Sequence, residues 1–463
     1  MKAFTLGRYT EGGEKVIKNL TEQIEEKWLQ IAICTGLGLS FISIIQAAVL
    51  GGKPLDIDSA FFLHSGWLFT QGYYPYLHIW DIKPPLAYLI PAVYNFATLG
   101  NTYAVYWLSI VINSILITAS SVLAGKLFLE IKEDELAALG ISFAVLSING
   151  LTALGSWGYR PKFFVMFFGL LSIWLYLKNR ELYAGISGGI AALFWHFGAI
   201  FPLTIGLLLL KDRDFRGFGK AVIGGITISI VSLIPIIAVG GFKPMVEQIF
   251  IAPLQISEPL NLLRRLGKGV VGLKYSAITL FLGLSGLIYS LKDSNRMNYL
   301  WIYIPAVWFG LQIFLVDFDG FADLFLGMTF ISIGCGFVIN RLEREEIKYI
   351  LVSSLLLIAV IGSIFNGGMG VIYSSTFNNP SGEQPALRGF LLNLQSEVGE
   401  NQTDQNSSET GSSIRYSTQE RFWNKIRPSS CHIRMSGLEK KWIQSTSAEI
   451  HEKECKVASD ILK

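Results

Sequence analysis

The sequence predicts an all-α polytopic membrane protein. Charged residues make up 16% of its 463 residues, against about 25% in an ordinary soluble domain. They are concentrated at the two ends, because residues 1–28 carry 10 charges and residues 374–463 carry 22, which leaves 41 for the 345 residues between. Apolar residues reach 51%, and the mean hydropathy is +0.45. This composition excludes a disordered chain, a coiled coil and a nucleic-acid-binding module.

Long apolar runs mark the spans. A helix needs about 20 apolar residues to cross a hydrocarbon core of roughly 30 Å. Nine runs are predicted as single spans: 29–50, 101–125, 136–154, 161–177, 220–240, 270–291, 299–316, 322–339 and 349–372. The apolar stretch 182–210 is long for one span and carries Trp195 and His196 at its middle. We interpret it as a hairpin of two short helices that turns near His196, which gives about 11 crossings.

Lys and Arg in the short loops predict the orientation, because cytosolic loops are enriched in these residues. With the N-terminus in the cytosol, the cytosolic segments hold 18 basic residues and the outer segments hold 8. A single span over 182–210 would place Lys211 and Arg213 outside and invert every later loop. The charge bias therefore favours the hairpin and a multi-pass plasma-membrane protein whose C-terminus lies outside the cytosol.

The chain is predicted to have three parts: a cytosolic segment 1–28, a transmembrane domain 29–373 and a polar segment 374–463. The first segment lacks the short apolar core and cleavage site of a signal peptide. The last segment regains aromatic and aliphatic residues from Phe422 onward, which indicates a small extracytoplasmic domain.

Two features of this C-terminal segment depend on its compartment. Cys431 and Cys455 could form a disulfide only outside the cytosol. Asn401 and Asn406 begin glycosylation sequons, although such triplets also arise by chance in Ser- and Asn-rich sequence.

The outer segment 51–100 contains most of the side chains suited to chemistry. Its candidate site residues are three acids, two histidines, a lysine and a tryptophan: Asp56, Asp58, Asp81, His64, His78, Lys83 and Trp80. Eight aromatic residues occur from Phe61 to Trp80 inclusive, and aromatic faces suit both sugar rings and the membrane interface. The alternative interpretation is a belt of interfacial anchors with solvated acids.

Further candidates lie on other outer segments. A departing lipid phosphate needs nearby cations, and the candidates beside Lys83 are Arg160 (after Tyr159) and the pair Arg264 and Arg265. Each has the alternative role of an interfacial cation. An ionisable group at membrane depth, such as His196, suggests function, against a histidine bonded to backbone at a helix break. Asp317 and Asp319 share an outer loop and either contact an acceptor or are solvated acids.

Asp56 and Asp58 admit two roles. Inversion at an anomeric carbon needs a carboxylate that takes the acceptor proton on the face opposite the leaving group. The same Asp-x-Asp pair could instead hold a divalent cation, Mg²⁺ or Mn²⁺, against a phosphate. The sequence contains no Gly-rich phosphate loop, no Ser-His-Asp arrangement and no zinc spacing, which favours a lipid-linked donor over a nucleotide sugar.

The order of motifs in the first outer segment resembles a known family. The acid pair is followed by Gly66-Trp67, by Gly72-Tyr73-Tyr74-Pro75-Tyr76, and by Trp80-Asp81-Ile82-Lys83-Pro84-Pro85-Leu86. This order is similar to the first outer loop of GT-C glycosyltransferases of the protein-mannosyltransferase and aminoarabinose-transferase group. It is most similar to archaeal dolichyl-phosphate-mannose mannosyltransferases, which residues 317–325 and 428–436 also resemble.

The resemblance implies a GT-C fold and an inverting transfer of one hexose, mannose being the first expectation. The donor would be a dolichyl- or polyprenyl-phosphate sugar on the outer face. The acceptor would be a lipid-linked oligosaccharide or glycan of protein N-glycosylation, with a first-loop acid as general base. The family usually has adjacent Asp-Glu here, whereas Ser59 follows Asp58 and the second acid is Asp56. Which acid is the base therefore stays open.

Three other functions remain as alternatives at this stage. A protein O-mannosyltransferase would share the donor and differ in the acceptor. A flippase or transporter of a lipid-linked glycan would need polar residues along several spans, whereas ionisable residues here cluster on one side and leave the spans nearly bare. A non-catalytic subunit would use the C-terminal segment as a docking module.

Overall fold

The computed structural model describes residues 11–49, 57–79, 81–251, 262–315 and 321–377, and within these ranges every regular element is a helix. The first eight are α1 (Glu11–Val49), α2 (Ile57–Thr70), α3 (Leu86–Ala97), α4 (Thr102–Leu129), α5 (Glu135–Leu146), α6 (Leu151–Gly155), α7 (Pro161–Leu177) and α8 (Glu181–Phe194). The others are α9 (Ile200–Lys211), α10 (Phe215–Ala238), α11 (Phe242–Val246), α12 (Leu262–Leu273), α13 (Ala277–Ser290), α14 (Leu300–Leu315), α15 (Leu324–Arg341) and α16 (Glu345–Phe377).

The helix lengths confirm a polytopic membrane fold. Within the described ranges, six helical stretches are long and apolar enough to cross a bilayer: Glu26–Ala48, Ala104–Leu129, Phe215–Ala238, Arg265–Ser290, Leu324–Arg341 and Glu345–Phe365. Shorter apolar helices, such as Pro161–Leu177 and Glu181–Phe194, pack among them. The total of eleven crossings stays a prediction. The division into a cytosolic segment 1–28 and an extracytoplasmic segment 374–463 also stays a prediction. Residues 378–463, which include Cys431, Cys455, Asn401 and Asn406, lie outside the described residues.

Some predicted runs differ in detail from the helices. The run 136–154 is divided, because α5 ends at Leu146 and Gly150 takes a left-handed φ of 73° before α6. The run 270–291 is preceded by another helix, since α12 begins at Leu262 and a 3₁₀ turn joins it to α13. The outer segment 51–100, predicted only as a folded loop, contains α2 and α3.

Ionic contacts in the described chain occur at two opposite ends of the helices. At one end, the loop after α4 meets two other loops and the first turn of α16: Glu130 pairs with Lys178 at 2.8 Å, Lys132 with Asp293 at 3.2 Å, and Asp134 with Lys348 at 3.6 Å. At the other end, Arg160 lies 3.6 Å from Asp58, and Lys162 pairs with Asp323. This separation is what a hydrocarbon core requires. The first of these ends is the one that the basic loops predict to be cytosolic.

Asp293 is the most firmly held carboxylate at this first end. The backbone N–H of Asn295 donates to it at 3.0 Å, and the Tyr299 hydroxyl donates at 2.8 Å. With the Lys132 ammonium, these donors lower the pKa of Asp293 to about 2. The loop after α13 is thereby tied to the loop after α4.

The stretch 182–210 is a hairpin, as its charge pattern predicted. Helix α8 ends at Phe194, Trp195 is extended (φ −157°, ψ 129°), and a 3₁₀ turn His196–Ala199 leads into α9. The far end of α9 returns to the end of α7, where the Tyr176 hydroxyl donates to Asp212 at 3.3 Å. Each helix is short, about 21 Å for the 14 residues of α8.

Glycines bring α8 and α10 into backbone contact. A Cβ on Gly185 would collide with Ala221, and one on Gly189 would meet Gly225 and Ile228. Later residues of α8 contact later residues of α10, so the two helices are parallel. Helix α9, which connects them in the chain, runs in the opposite direction. Small residues at such interfaces allow the van der Waals packing that holds membrane helices together. Gly283 and Gly286 of α13 pack in the same way on α15.

This packing makes Gly224→Ala a sharp test of the α8–α10 contact. The new Cβ would collide with the carbonyl oxygen of Leu182, and overpacking of this kind costs roughly 1–3 kcal/mol. We expect a midpoint of thermal unfolding several degrees lower in detergent. The matched control is Gly219→Ala in the same helix, where a Cβ meets nothing within 4 Å and alanine favours the helix. Equal effects of the two substitutions would contradict the described packing.

Candidate active site

The first outer segment is a folded aromatic unit built on α2 and α3. The two helices pack so closely at Gly66 that a Cβ there would collide with Pro91. Tyr88 of α3 is fully buried, with its ring centroid 5.8 Å from that of Phe62 and 5.9 Å from that of Tyr76. These rings are interior, so the segment is more than a belt of lipid-facing anchors. Its packing fixes where the segment's polar residues lie.

Gln248, about 170 residues later in the chain, forms hydrogen bonds with the backbone of the turn between α2 and α3. Gln248, in the π-helical turn Glu247–Ile251 after α11, donates to the Tyr76 carbonyl at 2.8 Å and accepts from the Asp81 N–H at 3.2 Å. Tyr76 has a left-handed φ of 70°, and its hydroxyl donates to the Lys83 carbonyl at 2.6 Å. Burial, with a smaller contribution from the Asp81 charge, raises the pKa of Tyr76 well above its usual value. The Lys83 backbone is therefore held at a defined position.

Asp58 and Arg160 form the central charged contact of the site. Asp58 lies in the first turn of α2 and its side chain is 50% exposed, whereas the Arg160 side chain is 9% exposed. The Nη1 atom of Arg160 lies 3.6 Å from Oδ2 of Asp58. Asp58 therefore presents a half-exposed carboxylate beside a buried guanidinium, where a substrate can approach it.

The position of Arg160 is set by the loop before α7. Asn113 of α4 donates to the carbonyl of Gly158 at 2.6 Å, and Gly158 has a φ of 103°, which a side chain would strain. Arg160 follows in an extended conformation as the N-cap, with Pro161 at the first helical position. Tyr159 is fully buried, and its ring packs against Phe62 and Tyr94. Tyr159 therefore anchors the loop that carries Arg160.

Two ammonium groups flank Trp195 at the break between α8 and α9. The Nζ atom of Lys83 lies 5.7 Å from the indole centroid, and that of Lys162 lies 5.1 Å from it. Both distances are within the range of a cation–π interaction. Lys162 also pairs with Asp323, at the start of α15. His196 follows Trp195 in the turn and lies close enough for the Lys83 charge to act on it.

The structure thus brings together residues from four separate segments of the chain. Asp58, Lys83, Arg160, Lys162 and Trp195 with His196 all lie at one end of the helices, with the buried turn at Asp81 beneath them. The set combines one accessible carboxylate with three cations. Such a set can accept a proton from a hydroxyl and stabilise negative charge that develops on a phosphate.

Other predicted residues are placed as follows. His64 is buried and stacks on Trp67 at 5.5 Å between centroids, and Nδ1 of His78 accepts from the Tyr74 N–H at 2.9 Å. Arg264 and Arg265 lie near the start of α12, which packs on the turn that holds Asp323. Four predicted residues lie outside the described ranges: Asp56, Trp80, Asp317 and Asp319.

The described residues include few groups that could hold the predicted divalent cation. Among the described residues, no three His, Cys, Asp or Glu side chains come together to hold an ion. Asp58, the described member of the predicted metal pair, already faces a guanidinium, which would repel a cation. A divalent cation held by Asp56 and Asp58 stays a prediction from the sequence, because Asp56 lies outside the described residues.

Three contributors were absent from the predicted site. Lys162 follows Arg160 by two residues, and its partner Asp323 is 161 residues further along the chain. Gln248 sits in an apolar stretch with no motif around it. Trp195 was noted only as the neighbour of His196. The sequence signal that could have identified Trp195 is its position at a predicted helix break.

Comparisons with known proteins identify relatives of this chain. The DolP-mannose mannosyltransferase family profile matches residues 72–234. A dolichol phosphate-mannose mannosyltransferase from Haloferax volcanii is 30% identical over 431 residues, which are 89% of this chain and 93% of the relative.

Two solved structures are similar at low identity. The Archaeoglobus fulgidus oligosaccharyltransferase with zinc and sulfate has a TM-score of 0.46 and 13% identity, over 85% of this chain and 61% of that chain. ArnT from Cupriavidus metallidurans bound to undecaprenyl phosphate has a TM-score of 0.47 and 12% identity, over 94% of this chain and 76% of that chain.

We expect Gln248→Leu to loosen the turn at residues 76–83. The change leaves the buried Asp81 N–H and Tyr76 carbonyl without their partner, a loss of about 1–3 kcal/mol. Amide hydrogen exchange of peptides covering the turn should become roughly tenfold faster. Gln71→Leu is the matched control, because Gln71 is exposed and its side chain contacts only Thr70. Unchanged exchange in the Gln248 variant would show that these two hydrogen bonds are not needed to hold the turn.

Proposed function

The chain belongs to the family of DolP-mannose mannosyltransferases, and we propose that it transfers a single mannose from dolichyl-phosphate mannose to an acceptor glycan on the extracytoplasmic face, in protein N-glycosylation. Family membership makes it a glycosyltransferase with this donor. The observation that carries the finer proposal is the accessible Asp58 carboxylate beside Arg160, with Lys83 and Lys162 at the same end. The acceptor and the stereochemistry come from the resemblance of the first outer segment.

In the proposed reaction, Asp58 acts as the general base. One of its carboxylate oxygens accepts the proton of the acceptor hydroxyl as the hydroxyl oxygen attacks C1 of the mannose. The C1–O bond to the phosphate breaks from the opposite face, and its electron pair leaves with the dolichyl phosphate. The configuration at C1 is therefore inverted. The 50% exposure of the Asp58 side chain is what makes approach of an acceptor feasible.

Cations around the leaving group would stabilise its second negative charge. Lys83 and Lys162 lie over the uncharged indole ring of Trp195, and Lys162 is also paired with the Asp323 carboxylate. Preorganised charges of this kind are often the largest single contribution to catalysis. Arg160 lies next to the base and is the third candidate for the phosphate.

The first experiment replaces the base. Asp58→Asn removes the proton acceptor but keeps the shape, and we expect a turnover number lower by about 10²–10⁴-fold with little change in KM for the donor. Transfer from dolichyl-phosphate mannose by the purified full-length protein is the measurement. Asp212→Asn is the matched control, because its carboxylate is 52% exposed at the opposite end.

The same series resolves the roles of the two acids. A loss with Asp56→Asn and full activity with Asp58→Asn would make Asp56 the base. Full activity in both variants, each correctly inserted, would overturn the carboxylate mechanism.

Deleting the gene tests the acceptor. We expect N-linked and lipid-linked glycans that lack one hexose, together with accumulation of the mannose-charged carrier, measured by mass spectrometry. Loss of O-linked mannose with intact N-glycans would indicate a protein O-mannosyltransferase instead. Complete glycans that accumulate on their lipid would indicate a flippase.

A further inference from the structure

A cavity lies away from the candidate active site, between α1, α4 and α7. Its volume is about 430 Å³, and its lining is apolar except for one hydroxyl and one ammonium group. The lining residues are Leu29, Ile33, Leu37, Ile115, Thr118, Ala119, Val122, Leu123, Lys126, Phe167, Leu171 and Trp174. We call this cavity the lateral groove.

The lateral groove opens sideways, toward the position of the bilayer. Ile33, Leu37 and Ile115 at its rim are 38%, 44% and 53% exposed, whereas Val122 and Leu123 at its floor are buried. These exposed residues lie within stretches that are apolar enough to span a membrane. Water gains few hydrogen bonds in such a groove, so hydrocarbon is the medium that fills it.

The dimensions of the lateral groove match one leaflet. It extends along α4 from Ile115 to Lys126, which is about 16 Å at 1.5 Å per residue. Half of a hydrocarbon core of roughly 30 Å is about 15 Å. A single lipid chain entering from one surface would therefore fill it.

One end of the lateral groove carries a cation and an interfacial aromatic. Lys126 lies in the last turn of α4 and Trp174 in the last turn of α7, and both are partly exposed. One turn beyond them, Glu130 pairs with Lys178 at 2.8 Å, so this acid is already engaged. Tryptophan and lysine at a helix end mark the headgroup level of a membrane. The ammonium of Lys126 thus meets headgroups at the end of the helices that is predicted to be cytosolic.

We propose that the lateral groove binds one anionic membrane phospholipid, with an acyl chain between α1, α4 and α7 and its phosphate on Lys126. The apolar lining gives affinity for the chain, and Lys126 gives the preference for negative charge. This site is at the opposite end of the helices from Asp58 and Arg160. The proposal is therefore independent of the proposed function.

Native mass spectrometry of the full-length protein in detergent tests the headgroup preference. Phosphatidylglycerol and phosphatidylcholine with identical acyl chains are added in equal amounts. We expect retention of one phosphatidylglycerol over phosphatidylcholine by roughly tenfold, since a charge-assisted contact is worth about one such factor. Lys126→Gln should abolish the preference and Lys126→Arg should retain it.

Lys211→Gln is the matched control for the charge, because Lys211 is exposed at the same end on α9, outside the lateral groove. Equal binding of both lipids by the unaltered protein would overturn the proposal. So would the same loss of preference in the Lys211 and Lys126 variants. Stronger retention of dolichyl phosphate than of phosphatidylglycerol would overturn the choice of occupant.

A second pair of variants tests the place of binding. Ala119→Phe puts a ring into the lateral groove and should remove the bound lipid of either kind. Val111→Phe, on an exposed face of the same helix and outside the groove, should leave it bound. Unchanged lipid retention by the Ala119 variant would show that the lipid binds elsewhere.

Discussion

The exclusion of charge from hydrocarbon is the constraint on which the rest of the structure depends. In the described chain, ion pairs lie at one of two ends of the helices, and none of them crosses the apolar middle. At one end, ion pairs connect loops and helix ends, as the pair of Asp134 and Lys348 does. The other end gathers its charges around Asp58 and Trp195, where one carboxylate stays half-exposed. Transfer chemistry with charged intermediates has a place only at such an end.

The hairpin of α8 and α9 extends this charged end toward the membrane. Glu181 begins α8 at the opposite end, where it pairs with Lys220 at 3.1 Å. Since α8 rises only about 21 Å, the turn at Trp195 stops short of the roughly 30 Å that a full crossing needs. Lys83 and Lys162 meet Trp195 at this level. Under the proposed function, a lipid-linked phosphate would reach these cations without its carrier leaving the bilayer.

Local pattern predicted the helices better than it predicted their contacts. Hydropathy located the run 161–177 as α7 and the run 322–339 within two residues of α15, because helices packed inside a membrane protein are apolar along their whole length. It placed the first span at 29–50, whereas α1 begins at Glu11, since a helix continues into water without an apolar signal. Arg160 stood out by its motif. Gln248 did not, because its partners Tyr76 and Asp81 are about 170 residues away and a lone glutamine carries no periodicity.

The Asp58–Arg160 contact sets a condition on the proposed base. A guanidinium at 3.6 Å favours the ionised carboxylate but also weakens its attraction for a proton. A donor phosphate bound at Lys83 and Lys162 would compete with Asp58 for Arg160, which lies at the same end of the helices. Drawing the guanidinium toward the phosphate would strengthen Asp58 as a base at the moment when the leaving group is in place. Binding of the donor would then prepare the acceptor site, and the loop held by Asn113 and Tyr159 is the element that keeps Arg160 within reach of both.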